Sequence, residues 1–281
     1  MMIQNAPAGE PRFVSLMREH MDLCRQFAEA FGNDRFEKPE PYEETLYAIA
    51  HHDRGWDQVD ANPVLDAKSG FPAGVGGAKG PGGAETTRLS PDYNQRRHGY
   101  CGLLASMHTW GLYNARYGYS DFRIRPGGST SVPISPEMAE ETNEILDGEI
   151  ARQNRLKELL ASNPNTNSWV EEDRLQQNYK LLQFCDTLAL YFNLRHETDR
   201  EKEIYIHVPQ SRTVDTSVTV TPQGNGIYEF SPFPFGGDSL EVSCKGRYFS
   251  ALPEGEVPKD LAKLIQDLPT EEQLHHCVAT Q

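Results

Sequence analysis

The sequence predicts a mainly α-helical protein, in which a helical bundle is followed by a small β-rich C-terminal module. Apolar residues recur at helical spacing in several long segments before residue 198. After residue 203, short runs of apolar and β-branched residues alternate with turn signals, which is the pattern of strands. We therefore expect a helical domain over residues 12–198 and a β-rich module over residues 203–281.

The composition is typical of a globular protein and argues against two classes of partner. The 281 residues carry a net charge of −14, with 37% hydrophobic and 24% charged residues. Because nucleic-acid phosphates are bound by clustered lysine and arginine, we expect no nucleic-acid partner, and an anionic membrane surface is disfavoured for the same reason. A small-molecule substrate, even an anionic one held by one or two local arginines, is compatible with this charge.

Apolar patterning and cysteine content bear on location. No apolar run approaches the length of a membrane span, and residues 1–11 lack the basic and then apolar pattern of a signal peptide. These features predict a cytoplasmic protein without a membrane partner. The five cysteines show no CxxC spacing, so a disulfide framework or a structural zinc site is not expected. Cys24, Cys101 and Cys185 are interpreted as small buried thiols.

The first helix is predicted over residues 12–31, where an apolar stripe recurs at helical spacing and Gly32 follows. His20 falls on that stripe, between Met17 and Leu23. A buried histidine needs a partner, so His20 is either a structural histidine bonded to a backbone carbonyl or a ligand.

The second helix begins near residues 39–44, where prolines and acidic residues form its first turn, and it ends in the run His51-His52-Asp53. His52 and Asp53 continue rows that contain Ile49, so they form the predicted inward pair. His51 lies on another row and is expected to line the pocket. An adjacent imidazole and carboxylate suit the same first-row cations.

Gly55 and Trp56 end this element, and residues 57–95 are predicted to be irregular. Residues 73–84 are rich in glycine but lack the GxxxxGK[ST] order of a phosphate-binding loop. We interpret this stretch as a flexible loop, either a lid over a site or a disordered segment.

A third helix is predicted over residues 99–115, with His108 on its apolar face and His98 at its N-terminal entrance. Arg96 and Arg97 precede it and are either solvated charges or a clamp for an anion. The helix thus adds another histidine to those on apolar faces, together with basic residues at its entrance.

After a loop over residues 120–135, two longer helices are predicted over residues 136–160 and 170–194. Asp186 interrupts the apolar face of the second one. Aspartate is rarely buried without a partner, because an unpaired buried charge is costly. Asp186 is therefore a stronger ligand candidate than His20.

Polar residues thus interrupt the apolar faces of several separate helices. They are His20, His52, Asp53, His108 and Asp186, with His98 as a sixth candidate. Because four helices of a bundle can direct such side chains to one point, we expect a shared metal site. The ligand types suit one or two divalent ions of iron, manganese or zinc.

The order of these residues resembles the HD-domain superfamily, whose metal site is carried by H…HD…D on a helical bundle. Four segments resemble those of an uncharacterised, HD-related family of domains of unknown function over about residues 13–280: Arg18–His20, His52–Trp56, Leu103–His108 and Leu181–Tyr191. The resemblance implies an HD-domain-like helical bundle. Many HD enzymes have a lysine shortly after the HD pair, whereas this chain has Gly55 and Trp56.

The resemblance also implies a function. The first metal would be bound by His20, His52, Asp53 and Asp186, and Asp53 would bridge to a second one bound by His98 and His108. The implied enzyme is a phosphohydrolase that acts on a small phosphoester through metal-activated water. Its catalytic residues would be His52, Asp53 and Arg54, and its substrate would contact His51, Arg54, Arg96 and Arg97. The alternatives are an HD-type diiron oxygenase that uses O₂ for C–H oxidation and a non-catalytic, metal-containing binding module. A homodimer is one assembly that the sequence permits.

Overall fold

The computed structural model describes residues 1–75, 83–114 and 136–280, with side chains from residue 86 onward in the second range. The glycine-rich loop predicted at residues 73–84 lies largely outside the described residues, so its role as a lid stays a prediction. The loop predicted at residues 120–135 lies outside them entirely.

Eight α-helices are present in the described ranges. They are α1 (Met17–Ala30), α2 (Tyr42–His51), α3 (Asp57–Ala61), α4 (Gly83–Arg97), α5 (Gly99–Tyr113), α6 (Ala139–Ala161), α7 (Glu172–Leu194) and α8 (Leu261–Gln266). A short 3-10 turn, Arg54–Trp56, follows Asp53 directly. None of the helices within these ranges is long and apolar enough to cross a lipid bilayer.

Nine strands occur in the same ranges. They are β1 (Met2–Ile3), β2 (Arg12–Ser15), β3 (Leu65–Asp66), β4 (Phe71–Pro72), β5 (Glu203–Pro209), β6 (Asp215–Gly224), β7 (Ile227–Ser231), β8 (Ser239–Phe249) and β9 (Glu271–Ala279). Seven of them form one sheet in the order β1-β2-β8-β9-β7-β6-β5, while β3 and β4 pair separately. Neighbours in the large sheet are antiparallel, except that β7 and β9 are parallel.

The prediction of a mainly α-helical, all-α fold is wrong. The protein is mixed α/β, with about 49% helix, 22% strand and a curled seven-stranded sheet. The sheet is more than a C-terminal module, because β1 and β2 at the other end of the chain belong to it. Residues 12–15, predicted as the start of the first helix, form β2 and pair with β8. Pairing between such distant segments leaves no local periodicity from which a sheet of this size could be predicted.

One hydrophobic core joins the helices to the sheet. Phe27 of α1 stacks on Phe192 of α7 with ring centroids 5.9 Å apart. Phe192 in turn meets Tyr228 of β7 edge-on at 4.8 Å, and all three rings are almost completely buried. Burying each such side chain stabilises the fold by about 1.5–3 kcal/mol. The division into residues 12–198 and 203–281 stays a prediction, and aromatic residues from both ranges share this core.

Helix α4 occupies part of the region predicted to be irregular, so that prediction is wrong for residues 83–95. The buried residues of α4 include Thr86, Ser90 and Asn94 rather than a row of apolar side chains. Pro91 also lies inside the helix. Because the buried face is polar, the sequence lacks the hydrophobic periodicity by which buried helices are recognised.

His275 of β9 is a buried histidine at the sheet side of the core. It is 3% exposed, its ring stacks on Phe192 at 4.4 Å, and neither ring nitrogen forms a hydrogen bond with a described residue. Burial lowers the pKa of His275 well below its ordinary value, and the charges of Arg200 and His276 lower it further. The folded protein therefore keeps this imidazole neutral.

We expect the free energy of unfolding to fall as the pH drops below about 6.5, because the unfolded chain then binds a proton that folded His275 does not. At higher pH both states are neutral, and this contribution to the pH dependence vanishes. The slope should be smaller by roughly 1 kcal/mol per pH unit in His275→Phe, as measured by urea unfolding between about pH 6 and 5. The control is His276→Gln on the exposed side of the same strand, which should retain most of the wild-type slope. Equal slopes for wild type and His275→Phe would contradict this assignment.

Candidate metal centre

Four helices bring five of the side chains predicted as ligands into one region. His20 comes from α1, His52 and Asp53 from the end of α2 and the turn after it, His108 from α5, and Asp186 from α7. The three histidines and Asp186 are at most 1% exposed. Only the Asp53 side chain among these five is appreciably open, with 15% of its surface exposed.

The first group of ligand atoms surrounds the carboxylate of Asp186. Nε2 of His20 lies 3.1 Å from Asp186 Oδ1, and Nε2 of His52 lies 3.6 Å from the same oxygen. Sγ of Cys24 lies 3.7 Å from Nε2 of His20 and completes the group. The four side chains each offer a ligand atom within 4.8 Å of the others, which is close enough for them to share one ion.

The second group shares His52 with the first. Oδ2 of Asp53 lies 3.5 Å from Nε2 of His52, and Oδ1 of Asp53 lies 3.9 Å from Nε2 of His108. The two oxygens of one carboxylate therefore face two different histidines. A carboxylate placed in this way can span two neighbouring ion positions.

The spacings fit a cation at least as well as they fit direct hydrogen bonds. Two ligands about 2.1 Å from one ion, at a tetrahedral angle, lie roughly 3.4 Å apart. The separations of 3.1, 3.5 and 3.6 Å bracket that value, and the two longer ones exceed an ordinary hydrogen bond. In addition, Asp186 Oδ2 and His52 Nε2 are buried and form no hydrogen bond with a described residue. Unpartnered polar atoms in a protein interior are costly, so a ligand is expected here.

Hydrogen bonds behind the cluster determine which ring nitrogens face it. Nδ1 of His52 lies 2.8 Å from the carbonyl oxygen of Ile49, which can only accept, so Nδ1 donates and Nε2 faces the centre. The Asn193 amide nitrogen donates to Sγ of Cys244 at 3.2 Å, which leaves its oxygen to accept from Nδ1 of His20 at 2.8 Å. Both histidines therefore present Nε2 to the centre, with the other nitrogen hydrogen-bonded, as in most metal-bound histidines.

His108 is supported from α7. The amide nitrogen of Gln183 lies 3.1 Å from Nδ1 of His108, which leaves Nε2 on the side of Asp53. Gln183 precedes Asp186 by one helical turn, so a single helix supplies both an acidic ligand candidate and a support for a histidine.

Burial and charge set the protonation states in the cluster. Burial opposes ionisation of Asp186, but the neighbouring imidazoles of His20 and His52 outweigh it and hold the pKa of Asp186 well below its usual range. Burial also opposes a charge on His52, but Asp53 and then Asp186 raise its pKa to about 9. Burial, followed by the charge of His52, lowers the pKa of His108 to about 4. At neutral pH His52 thus carries a positive charge that a bound cation would replace.

His51 packs at the surface beside the cluster. Its ring stacks on that of Tyr47 at 4.0 Å and on that of Tyr93 at 5.7 Å. The side chain of Asn94 donates to the His51 carbonyl oxygen at 2.7 Å and ties α4 to the end of α2. Burial lowers the pKa of His51, so the ring is held neutral between two tyrosines.

The three arginines predicted to bind substrate lie on the same surface. Arg54 pairs with Asp57 at 2.7 Å, and its guanidinium lies 5.0 Å from the ring centre of Tyr93. Arg96 and Arg97 each lie 5.5 Å from the centre of a tyrosine ring. Both are exposed, and in the described ranges no acidic side chain pairs with either of them. They can therefore bind an anion without losing an existing ion pair.

His98 lies outside both groups of ligand atoms. Its Nδ1 accepts a hydrogen bond from the Tyr100 backbone at 3.1 Å, as the cap of α5, and its ring meets Trp169 at 5.4 Å. The structure thus gives His98 a capping contact and does not bring it together with His52, Asp53 and His108.

A close approach between two backbone segments positions the turn that follows Asp53. The backbone nitrogen of Gly55 donates to Oγ of Ser90 at 2.9 Å. A β-carbon on Gly55 would lie 1.9 Å from the Thr86 carbonyl oxygen, so only glycine lets α4 pack this tightly. The sequence indicated Gly55 only as a helix terminator.

Three residues beside the site were not predicted as functional: Cys24, Gln183 and Asn193. The signal that could have found them is helical spacing. Cys24 follows His20 by one turn, and Asn193 follows Asp186 by two turns, so each lies on the same face as a predicted ligand.

The fold and the site together define a mixed α/β protein with a cluster of ligand-capable side chains in its interior. The chain belongs to the family described as protein of unknown function, DUF3891, whose model matches residues 2–251. This confirms the predicted membership of an uncharacterised family, while the relationship to the HD-domain superfamily stays a prediction. A search of the curated proteins gave no match, and a search of the solved structures gave none either.

Proposed function

We propose that this protein is a metal-dependent enzyme of the HD type that hydrolyses a small phosphoester in the cytoplasm. The main support is the convergence of imidazole and carboxylate atoms from four helices, where Asp186 Oδ2 and His52 Nε2 are buried without a hydrogen bond to a described residue. This set of donors suits one or two divalent ions of iron, manganese or zinc. Such an ion would polarise a phosphoryl oxygen and lower the pKa of a water molecule.

Side chains of the protein itself would accept the proton from water and bind the phosphate group of the substrate. The side chain of Asp53 is the ligand candidate that reaches solvent, so substrate would approach from its side, and its carboxylate can accept a proton from water. Arg54 follows it in sequence, and Arg96 and Arg97 lie on the same surface. Their guanidinium groups would bind the phosphate oxygens.

A diiron oxygenase is the second candidate. The observation that favours it is the ligand set itself, because three histidines and two carboxylates suit iron and four of these five side chains are at most 1% exposed. In this function the same residues would bind iron, and O₂ would oxidise a C–H bond of a small molecule.

Metal analysis of protein purified without added metal tests both functions. A phosphohydrolase should contain manganese or zinc and release phosphate from generic phosphoesters. An oxygenase should contain iron, absorb visible light and consume O₂ when substrate is added. If the folded protein bound none of these metals even after incubation with them, both functions would be excluded and a non-catalytic binding module would remain.

The variant Asp53→Ala should lose phosphoester hydrolysis by more than about 100-fold while staying folded, because loss of even a supporting residue at a metal site costs about 10–100-fold. The control is Asp22→Ala on α1, where the side chain is 47% exposed and pairs with Arg25. It should hydrolyse the ester at the wild-type rate. Full activity in Asp53→Ala would exclude the proposed role of this carboxylate.

A further inference from the structure

Cys24 lies inside the first group of ligand atoms, although the proposed hydrolysis requires no thiol there. It is completely buried and follows His20 by one turn of α1, so both side chains lie on the same face. Its Sγ is 3.7 Å from Nε2 of His20, and His52 and Asp186 offer ligand atoms within 4.8 Å of both. A tetrahedral metal site has four ligands, and these four side chains supply that number of donor atoms.

We propose that Cys24 is a metal ligand, and that the inner ion position is a closed site of two imidazoles, one carboxylate and one thiolate. The proposal rests on the proposed function in one respect, because the centre must bind a divalent cation. It goes further by separating a closed inner position from an outer position at Asp53 and His108, which the partly exposed side chain of Asp53 leaves accessible.

Charge balance supports the thiolate. A divalent cation in a dry pocket needs two negative charges beside it, because an uncompensated buried charge is costly. Asp186 supplies one of them. Asp53 is not among the four side chains of the inner group and also faces His108, so the proposal assigns its charge to the outer ion and the thiolate of Cys24 supplies the other charge at the inner one. When sulfur binds the cation, its S–H bond breaks and the proton leaves to solvent.

Two further observations point to a ligand rather than to simple packing of a thiol. Asp186 Oδ2 and His52 Nε2 are buried beside Cys24 without a hydrogen bond to any residue in the described ranges. Cys185 is equally buried and adjacent to Asp186 in sequence, yet it lies outside the group, so burial alone does not bring a thiol here.

A thiolate would also determine which metal is bound. Soft sulfur ligands favour zinc and iron over magnesium, calcium and manganese, which prefer oxygen. The inner position is therefore expected to select zinc or iron(II). Because Nε2 of His52 has one lone pair and is assigned to the inner ion, the outer position retains one imidazole, His108, and one carboxylate, Asp53, and is expected to be less selective.

Cobalt(II) provides the test, because a thiolate bound to cobalt gives an intense charge-transfer band in the near ultraviolet. The full chain loaded with cobalt should show this band, and so should the control Cys185→Ser. Cys24→Ser should lose the band while keeping the weaker visible bands of bound cobalt. The proposal is overturned if Cys24→Ser keeps the charge-transfer band, or if the wild type binds cobalt without showing it.

The outcomes separate this proposal from the proposed function. Cobalt bound without thiolate absorption overturns only the role of Cys24, whereas a wild type that binds none of cobalt, zinc, iron and manganese overturns both. Should Cys24→Ser fail to fold, X-ray absorption by the zinc-loaded wild type decides the question. One sulfur at about 2.3 Å from zinc is expected, and a shell of only nitrogen and oxygen would overturn the proposal.

Discussion

Asp186→Asn should lose metal binding and should also be less stable without metal. The carboxylate is 1% exposed and lies within 3.6 Å of Nε2 of both His20 and His52, so the substitution removes the negative charge that both imidazoles face. Breaking a buried ion pair from one side costs about 3–5 kcal/mol. We expect a loss of stability at the lower end of this range, about 3 kcal/mol, because His52 can release its proton when its partner is lost and then leaves no unpaired buried charge. Metal affinity should fall by more than about 100-fold.

Calorimetric titration with zinc and urea unfolding of the metal-free protein measure these two effects separately. The matched control is Asp173→Asn on the same helix, where the side chain is 41% exposed and pairs with Arg212. An exposed pair of this kind contributes about 0–1 kcal/mol, and its loss should leave metal binding unchanged. Wild-type zinc affinity in Asp186→Asn would show that the carboxylate is not a ligand.

Gly55→Ala should destabilise the protein by about 3 kcal/mol and weaken metal binding, although no ligand is changed. The added β-carbon would lie 1.9 Å from the Thr86 carbonyl oxygen and 2.9 Å from Oγ of Ser90. Overpacking typically costs about 1–3 kcal/mol, and a clash with backbone falls at the upper end because backbone cannot rotate away. Helix α4 must then move away from the turn that follows Asp53, which displaces one of the predicted ligands.

Gly148→Ala is the matched control for this prediction. Gly148 lies on the exposed side of α6, and a β-carbon there would meet no atom within 4 Å. Alanine is favoured over glycine within a helix by about 1 kcal/mol, so this variant should be more stable than the wild type. Thermal unfolding of the two variants should therefore shift in opposite directions. A Gly55→Ala variant as stable as the wild type would show that α4 does not pack against the turn as described.

The positions of most candidate ligands could be predicted from the sequence, because each one breaks a periodic apolar pattern. Asp186 and His108 lie on faces that are otherwise apolar, and the order of the chain places them on different helices. Helix packing then brings together residues that interrupt the buried faces. Cys24 was not predicted as a ligand, because a thiol on an apolar stripe does not interrupt it.

The extent of the sheet could not be predicted in the same way. Strands β1 and β2 are short, and they join the sheet through pairing with β8 at the far end of the chain. Helix α4 was not predicted for a different reason, because its buried face carries polar rather than apolar side chains. Ser90 and Asn94 on that face form hydrogen bonds with the backbone of Gly55 and His51. Both features depend on contacts between distant segments, which periodicity within one segment does not reveal.

The central claim is that His20, His52, Asp53, His108 and Asp186 form a metal centre. Anomalous X-ray diffraction from a crystal of the full chain grown with zinc tests it most directly. The claim predicts an anomalous peak about 2.0–2.2 Å from Nε2 of His20, Nε2 of His52 and a carboxylate oxygen of Asp186. A zinc-loaded crystal in which the space between these three side chains held only water, with every zinc ion at the surface, would contradict it.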